Sequence, residues 1–462
     1  MLRKTASMIV ALAILPALGF GATVAKRKAK GKTSVATKPT EPPTEIAAPP
    51  PKEALLAAAD EIIRQVVALR GLSAKKPLQR GVLSRQEIGD KLKERIGKEY
   101  TPAEVQNEAR VLKRLGLIPQ NANYEQLILD LLMEQVAGFY DPFSARLYIA
   151  DWLPLEMQRP ALAHEIEHAL QDQHFDLKRF ATPIKDNSDE QLAQSALVEG
   201  DGTEVMLEFQ AQQSGVSADK IPEIVAAMSK LMLQASSFGQ APLFDKAPIY
   251  LKETLLFPYM SGLKFVAALR EASSEKINRV DTAFKAPPDS TEQILHPEKF
   301  LNREAPVKIV APEAKVGDRL LPNEIRRDVL GELQLKILFS SAMSSSDAEK
   351  AAEGWGGDRL VAYAPPAGED AKRSITIVDL SSWDSENDAR EAERAGKKLL
   401  AKLGHKNDEI DPGIFRDSDE SEWSVERSGD RVLLIFGAPK GVRAELSERV
   451  WKSWKVGDQP AK

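Results

Sequence analysis

The pentapeptide His164-Glu165-Ile166-Glu167-His168 constrains this 462-residue chain more than any other feature. On a helix, residues four positions apart lie on the same face, so both imidazoles can reach one metal ion. Glu165 lies about 100° around the helix, where its carboxylate can flank an open coordination position. Zinc-dependent hydrolysis needs two neutral nitrogen ligands, a labile water and a carboxylate that accepts its proton. The motif therefore predicts a catalytic Zn²⁺ site, the alternative being an amphipathic helix that carries two histidines by chance.

Two residues compete for the third protein ligand that a catalytic zinc usually has. His174 reproduces the H-x3-H-x5-H spacing of the metzincins, but that geometry needs a sharp turn after His168, and Gln171 stands where that family has glycine. If the helix continues, His174 lies about 9 Å farther along the axis and cannot reach the metal. Glu199, expected on a second helix, is the preferred ligand and completes a His₂Glu site. Its alternative role is that of a surface carboxylate.

The residues that follow Glu199 are predicted to support this site. Gly200 would leave room for two helices to approach closely beside the metal. Asp201 or Glu204 could hold a ligand imidazole in orientation through a hydrogen bond, and Asp201 is the preferred candidate.

Three segments together resemble the zincin metallopeptidases, in the gluzincin branch, and more narrowly a group of exported bacterial gluzincin-like proteins. The segments are Gly138–Pro142, Ala163–Phe175 and Leu197–Asp201, and the resemblance covers roughly residues 54–300. It implies that His164, His168 and Glu199 bind zinc and that Glu165 is the general base. It also implies an edge strand ahead of the motif helix that holds a peptide substrate in extended form, with the segment around Tyr148 as candidate.

The predictions extend to five further residues. Glu167 stands where the family usually has an uncharged residue, and it could strengthen metal binding or face solvent. Gly202 replaces a common alanine. Tyr259 could donate a hydrogen bond to an oxyanion at the scissile carbonyl, the alternative being a half-buried core tyrosine. His296 is expected to be structural, and His405 an exposed residue at a helix end.

The N-terminus has the pattern of a secretory signal, predicted over residues 1–25. Arg3 and Lys4 precede the apolar run Met8–Phe20, and small residues follow. This run is shorter than the roughly 20 residues of a transmembrane helix, so an uncleaved anchor is the alternative. We therefore expect an exported protein, periplasmic or extracellular, that meets the membrane only transiently through its signal. Residues 26–52 are rich in Lys, Pro and Thr and predict a disordered linker.

Composition excludes several classes of site and partner. The chain has no cysteine, which excludes disulfides, thiolate zinc ligands and a cysteine nucleophile. The net charge of −5 argues against nucleic-acid binding. The expected partner is thus a protein or peptide substrate.

The pattern of apolar residues predicts an α+β protein with two folded domains. Residues 53–305 are expected to form a mostly helical zincin-like metallopeptidase domain with a small hairpin or edge sheet. Residues 306–462 are expected to form a smaller α+β sandwich, in an order compatible with a ferredoxin-like arrangement. Helices are predicted over 54–69, 84–96, 101–115, 124–136, 156–173, from 191 onward, 221–234, 258–272, 324–339, 384–403 and 442–454.

The sequence thus predicts a zinc metallopeptidase with Glu165 as general base. Two alternatives stay open. One is a zinc amidase that acts on cell-wall peptides, and the other is a cell-envelope binding or assembly protein whose zinc site is structural or vestigial.

Overall fold

The computed structural model is an α+β protein. It describes residues 10–12, 50–215, 220, 223, 242–272, 276–314, 318, 320, 323–365, 375–403, 409–411, 413–417 and 420–458. The predicted linker up to residue 49, most of the predicted helix over 221–234, and His405 lie outside these residues. Within the described part of the chain, no helix is both long and apolar enough to cross a membrane.

Four helices begin the folded part, and all four were predicted. They are α1 (Lys52–Arg70), α2 (Arg85–Glu99), α3 (Pro102–Arg114) and α4 (Tyr124–Gln135). Side chains fix where two of them begin. Ser84 and Thr101 each accept a hydrogen bond from the backbone amide of a glutamate three residues on, and that glutamate binds back to the cap. Such capping boxes satisfy amide groups that would otherwise lack a partner.

A small sheet joins these helices to the motif helix. Its strands are β1 (Val10–Leu12), β2 (Gln79–Leu83), β3 (Val136–Asp141) and β4 (Arg146–Ala150), in the order β1-β3-β4-β2. Strand β4 pairs antiparallel with β3 and parallel with β2. The prediction that the Tyr148 segment is an edge strand is therefore wrong, because both sides of β4 are occupied. The other side of β3 pairs antiparallel with the three-residue strand β1.

The central helices carry the predicted site. They are α5 (Leu155–Phe175), α6 (Leu177–Ala181), α7 (Ser188–Gln213), α8 (Pro242–Lys246), α9 (Ile249–Glu271), α10 (Lys276–Lys285), α11 (Thr291–Leu295) and α12 (Pro297–Leu301). Helix α7 packs against both α5 and α9. Helix α9 begins at Ile249 and contains Pro258, whereas the predicted helix over 258–272 begins at that proline. Proline suits a first helical turn, and this preference misplaced the boundary.

The C-terminal part contains a seven-stranded antiparallel sheet. The elements of this region are β5 (Ile309–Val310), β6 (Asn323–Asp328), α13 (Gly331–Ser340), α14 (Ser345–Ala352), β7 (Trp355–Ala364), β8 (Thr376–Trp383), α15 (Glu386–Leu403), β9 (Glu409–Asp411), β10 (Ile414–Arg416), β11 (Glu422–Ser428), β12 (Arg431–Ala438), α16 (Arg443–Ser453) and β13 (Lys455–Val456). The strands of the sheet lie in the order β6-β7-β8-β12-β11-β10-β9. One expectation fails here, because residues 323–328 form a strand rather than the start of a helix. Every neighbouring pair in this sheet is antiparallel, as in a ferredoxin-like sheet. Strand β12 lies between β8 and β11, which the chain connects through α15, as in a split βαβ unit.

Helices cover both faces of this sheet. Leu400 of α15 and Leu434 of β12 belong to the large core, while Leu446 of α16 packs with Leu433 in a smaller one on the other face. The large core is continuous from Leu55 through the central helices to Phe436. The helices that carry the predicted site and the C-terminal sheet therefore share one buried apolar interior.

Candidate metal centre

Three predicted ligands converge in the interior. His164 Nε2 lies 2.9 Å from His168 Nε2 and 3.0 Å from Glu199 Oε2, and His168 Nε2 lies 3.3 Å from the same oxygen. Donor atoms about 2.0–2.1 Å from a tetrahedral zinc are about 3.3 Å apart, so these spacings fit such a site. At most 2% of each side chain is exposed. This buried group could hold a metal ion.

Two glycines let the surrounding helices approach this group. A Cβ atom at Gly202 would lie 3.0 Å from His164 Cε1 and 3.1 Å from His168 Cε1, so the position beside both rings favours the smallest residue. Gly200 had been expected to make room beside the motif helix. It instead faces α9, where a Cβ atom would overlap the backbone of Gly262. The close approach to the motif helix thus occurs at Gly202.

Glu165 is held beside the ligands by the neighbouring strand. It is 1% exposed, and its Oε2 atom accepts a hydrogen bond from the backbone amide of Tyr140 in β3. The Tyr140 hydroxyl in turn donates to Asp172 on the motif helix, at 2.6 Å. These two contacts bind β3 to the motif helix at both the backbone and the side chain of Tyr140. The carboxylate is consequently fixed relative to the strand beside which an extended peptide could pair.

A chain of buried polar groups orients His168 from behind. Its Nδ1 atom lies 2.8 Å from Gln171 Oε1, and the amide nitrogen of Gln171 donates to Asp201 Oδ2 at 2.9 Å. Asp201 accepts from Arg70 Nε at 2.9 and 3.1 Å. Asp201 therefore reaches the imidazole only through Gln171. The preferred candidate Asp201 thus acts indirectly, and the role of Gln171 was not predicted, although Gln171 lies about one turn after His168 on the same face.

The charge of Glu167 is buried with this network. Glu167 is fully buried, so the option that it faces solvent is wrong, and its Oε1 lies 3.5 Å from Arg70 Nε. Burial raises the pKa of Glu167 well above its ordinary value, and nearby Asp201 adds to the rise. Arg70 also binds Asp281 at 2.7 Å, so a single guanidinium faces three carboxyl groups. Glu204 contacts Arg270 at 3.0 Å rather than an imidazole.

The electrostatics of the three ligands favour an ionised carboxylate. Burial opposes the charge of Glu199, but His168 and His164 outweigh it and lower the pKa of that carboxyl. Burial, followed by the neighbouring His168, lowers the pKa of His164. Burial opposes the charge of His168, but Glu199 outweighs it and raises the pKa of that imidazole. A neutral imidazole and an ionised carboxylate are the protonation states that bind a metal, so His168 would release its proton when a metal binds.

Tyr259 of α9 lies against the group. Its ring centroid is 5.9 Å from that of His164, and its hydroxyl is hydrogen-bonded to Glu199. Burial and the nearby carboxylates of Glu199 and Glu165 raise its pKa well above the ordinary value, which keeps the hydroxyl protonated. Tyr259 is 8% exposed. It can thus donate a hydrogen bond at this site, and its role in an oxyanion hole stays a prediction.

The other histidines of the described residues lie elsewhere. The motif helix continues to Phe175, and His174 Nε2 lies 2.8 Å from the carbonyl of Ser73, away from the metal-ligand group. His296 pairs with Glu332 at 3.0 Å. A second acidic group, formed by Glu292, Glu304 and Asp384, is bound by the ammonium of Lys299 at 2.6, 2.8 and 2.7 Å, so a lysine supplies its cation.

Comparisons with known proteins match only part of this chain. A family model described as a domain of unknown function (DUF8575) matches residues 318–447, most of the C-terminal sheet and its helices. A search of curated proteins gives no match. A solved structure described as a "putative hydrolase with a novel fold" from Chloroflexus aurantiacus is 18% identical, with a TM-score of 0.36, over 55% of this chain and 89% of that chain.

Proposed function

We propose that this protein is a zinc-dependent metallopeptidase of the gluzincin type, with His164, His168 and Glu199 as the metal ligands. The observation that carries the proposal is the convergence of three buried donor atoms at spacings of 2.9–3.3 Å with the Glu165 carboxylate beside them. Zinc would supply Lewis acidity at the scissile carbonyl and lower the pKa of water. A bare structural site would not need Glu165 held in this position.

The side chains divide the remaining chemistry among themselves. Glu165 accepts a proton from the attacking water and later delivers it to the leaving amine. The Tyr140 amide fixes its carboxylate in place. Tyr259, whose hydroxyl stays protonated, donates a hydrogen bond to the carbonyl oxygen as negative charge develops on it. Gln171 holds His168 so that Nε2 points toward the other ligands.

The substrate backbone would pair with β3. This strand contacts Glu165, and its outer edge accepts the antiparallel segment Val10–Leu12. That segment belongs to the predicted signal, so removal of the signal on export would free the edge for an extended peptide. Pairing through the backbone gives affinity without a strict demand on sequence. Export to the periplasm or the exterior is part of this proposal.

Substitution of Glu165 by glutamine tests the mechanism. The change removes the proton acceptor but keeps the shape of the side chain, so zinc content should match the parent while peptide turnover falls by about 10²–10⁴-fold. Glu156→Gln, at an exposed position of the same helix, is the matched control and should leave turnover unchanged. Casein and peptidoglycan fragments are assayed together, because cleavage of the fragments alone would favour the wall-peptide amidase. A fully active Glu165→Gln variant would eliminate the proposed mechanism.

A further inference from the structure

A cleft of about 310 Å³ lies between helix α2 and the β3–β4 hairpin. Phe139 and Tyr148 are directly paired across β3 and β4, and Lys91 of α2 lies over the Tyr148 ring. Tyr140, the next residue, directs its hydroxyl to Asp172 on the motif helix. The cleft is lined by Lys91, Glu94, Arg95 and Lys98 from α2 and by residues 139–144 from the hairpin.

The cleft begins at the strand that fixes the catalytic carboxylate. Phe139 and Tyr140 both line it, and the Tyr140 amide is the donor to Glu165. Side chains alternate between the two faces along a strand. A peptide paired with β3 would therefore direct every second side chain toward the motif helix and the others toward α2.

The pairing of β1 gives the register of such a peptide. Val10 lies opposite Phe139 in the antiparallel pair. Directly opposite residues in a sheet have their side chains on the same face. The peptide residue that takes the place of Val10 would therefore point its side chain to the face of Phe139, where the cleft lies.

The charges of the cleft favour an acidic side chain. Three cationic and two acidic residues line it. Two of the three cations are paired, since Lys98 binds Glu94 and Arg95 binds Glu99. Asp141 keeps its charge and accepts hydrogen bonds from the Phe143 amide and the Ser144 hydroxyl. Lys91 lies 4.6 Å from the centre of the Tyr148 ring and acts on Glu94 only at longer range, without an ion-pair contact among the described residues. Its ammonium is thus the cation available to a ligand.

We propose that this cleft is a substrate subsite that binds a carboxylate, with Lys91 as its cationic partner and Phe139 and Phe143 as walls for the aliphatic part of the side chain. The inference rests on the proposed peptidase function and adds the class of residue that the enzyme selects. A glutamate or aspartate side chain and a free peptide C-terminus share this chemistry.

Reversal of the charge at position 91 tests the subsite. A positional-scanning peptide library, with free and amidated C-termini in parallel, is digested by the processed enzyme and by Lys91→Glu. The parent should prefer an acidic residue at one position by about fivefold in kcat/KM, as expected for a single partly exposed ion pair. In Lys91→Glu this preference should change to lysine or arginine at the same position. Dependence on the free C-terminus alone would assign the cleft to the terminal carboxylate.

The control and a binding measurement separate the possible failures. Lys93→Glu makes the same charge change at an exposed position of α2 outside the cleft and should leave the preference unaltered. Binding of the preferred acidic peptide to the inactive Glu165→Gln variant, followed by fluorescence anisotropy, should weaken about fivefold when Lys91→Glu is added. Efficient cleavage with a profile that Lys91→Glu does not alter would overturn the subsite alone. Absence of both cleavage and peptide binding in the parent would overturn the proposed function with it.

Discussion

Replacement of Arg70 by methionine should destabilise the fold and weaken zinc binding together. Arg70 is fully buried at the end of α1 and binds Asp201, Asp281 and Glu167, which lie on three other helices. Methionine preserves much of the apolar stem but removes the charge. The variant would therefore leave buried carboxyl groups without their main cation.

The magnitude follows from the burial of these groups. Removal of one partner from a buried ion pair costs about 3–5 kcal/mol, because the other charge stays uncompensated. Asp281 is partly exposed, with 25% of its side chain accessible, and Arg270 lies 3.8 Å from Asp201, so the lower end applies. We expect a loss of about 3 kcal/mol in the free energy of unfolding. Since Asp201 positions His168 through Gln171, zinc affinity should also fall, by about tenfold.

Thermal unfolding and zinc titration with a competing chelator measure both effects. Arg64→Met is the matched control, because Arg64 lies on the same helix but is exposed. The melting temperature of Arg70→Met should fall by about 3–4 °C, while that of the control should change little. Equal stability and equal zinc affinity in Arg70→Met and Arg64→Met would refute the role assigned to the network.

Two further predictions concern the helices around the site. Gly262→Ala should destabilise the protein by about 1–3 kcal/mol, because the added Cβ atom would overlap the carbonyl of Ala196. Gly97→Ala is the control and should be neutral or stabilising, because its Cβ atom would meet nothing within 4 Å. Similar melting temperatures for the two variants would contradict the close approach of α7 and α9. Glu204→Gln should alter the pH dependence of stability, since burial raises the pKa of Glu204 to about 8 from the ordinary 4.5. The unfolded carboxyl ionises above about 4.5 while the folded one stays protonated, so the parent loses stability as pH rises toward 8 and the glutamine variant should lose less. Parallel melting-temperature curves for the two proteins between pH 5 and 8 would count against that burial.

The sequence specified the helices of the site because their signals are local. Two histidines four residues apart need only a continuous helix to share a face, and His164 and His168 do so in α5. Glu199 was chosen over His174 by the same geometry, and its carboxylate lies with the two imidazoles.

Contacts between distant segments were not predictable in the same way. Arg70 binds Asp201 across 131 residues of sequence, and no periodic pattern pairs them. The Tyr148 segment was wrongly predicted to be an edge strand. Its second edge is covered by residues 79–83, and no local pattern in the sequence shows that these residues pair with β4. Residues 324–328 were included in the predicted helix over 324–339, but they belong to a strand that is formed by pairing with β7. Such elements are decided by tertiary partners rather than by local preference.

The metal content of the purified, processed chain is the most direct test of the His₂Glu zinc site. Zinc is quantified by mass spectrometry in the parent protein and in the Glu199→Gln and His174→Gln variants after zinc is resupplied and excess removed. We expect about one zinc per chain in the parent and in His174→Gln, and a large loss in Glu199→Gln, because Glu199 supplies the third ligand. A parent that binds no zinc, or a loss of zinc only in His174→Gln, would contradict the His₂Glu site.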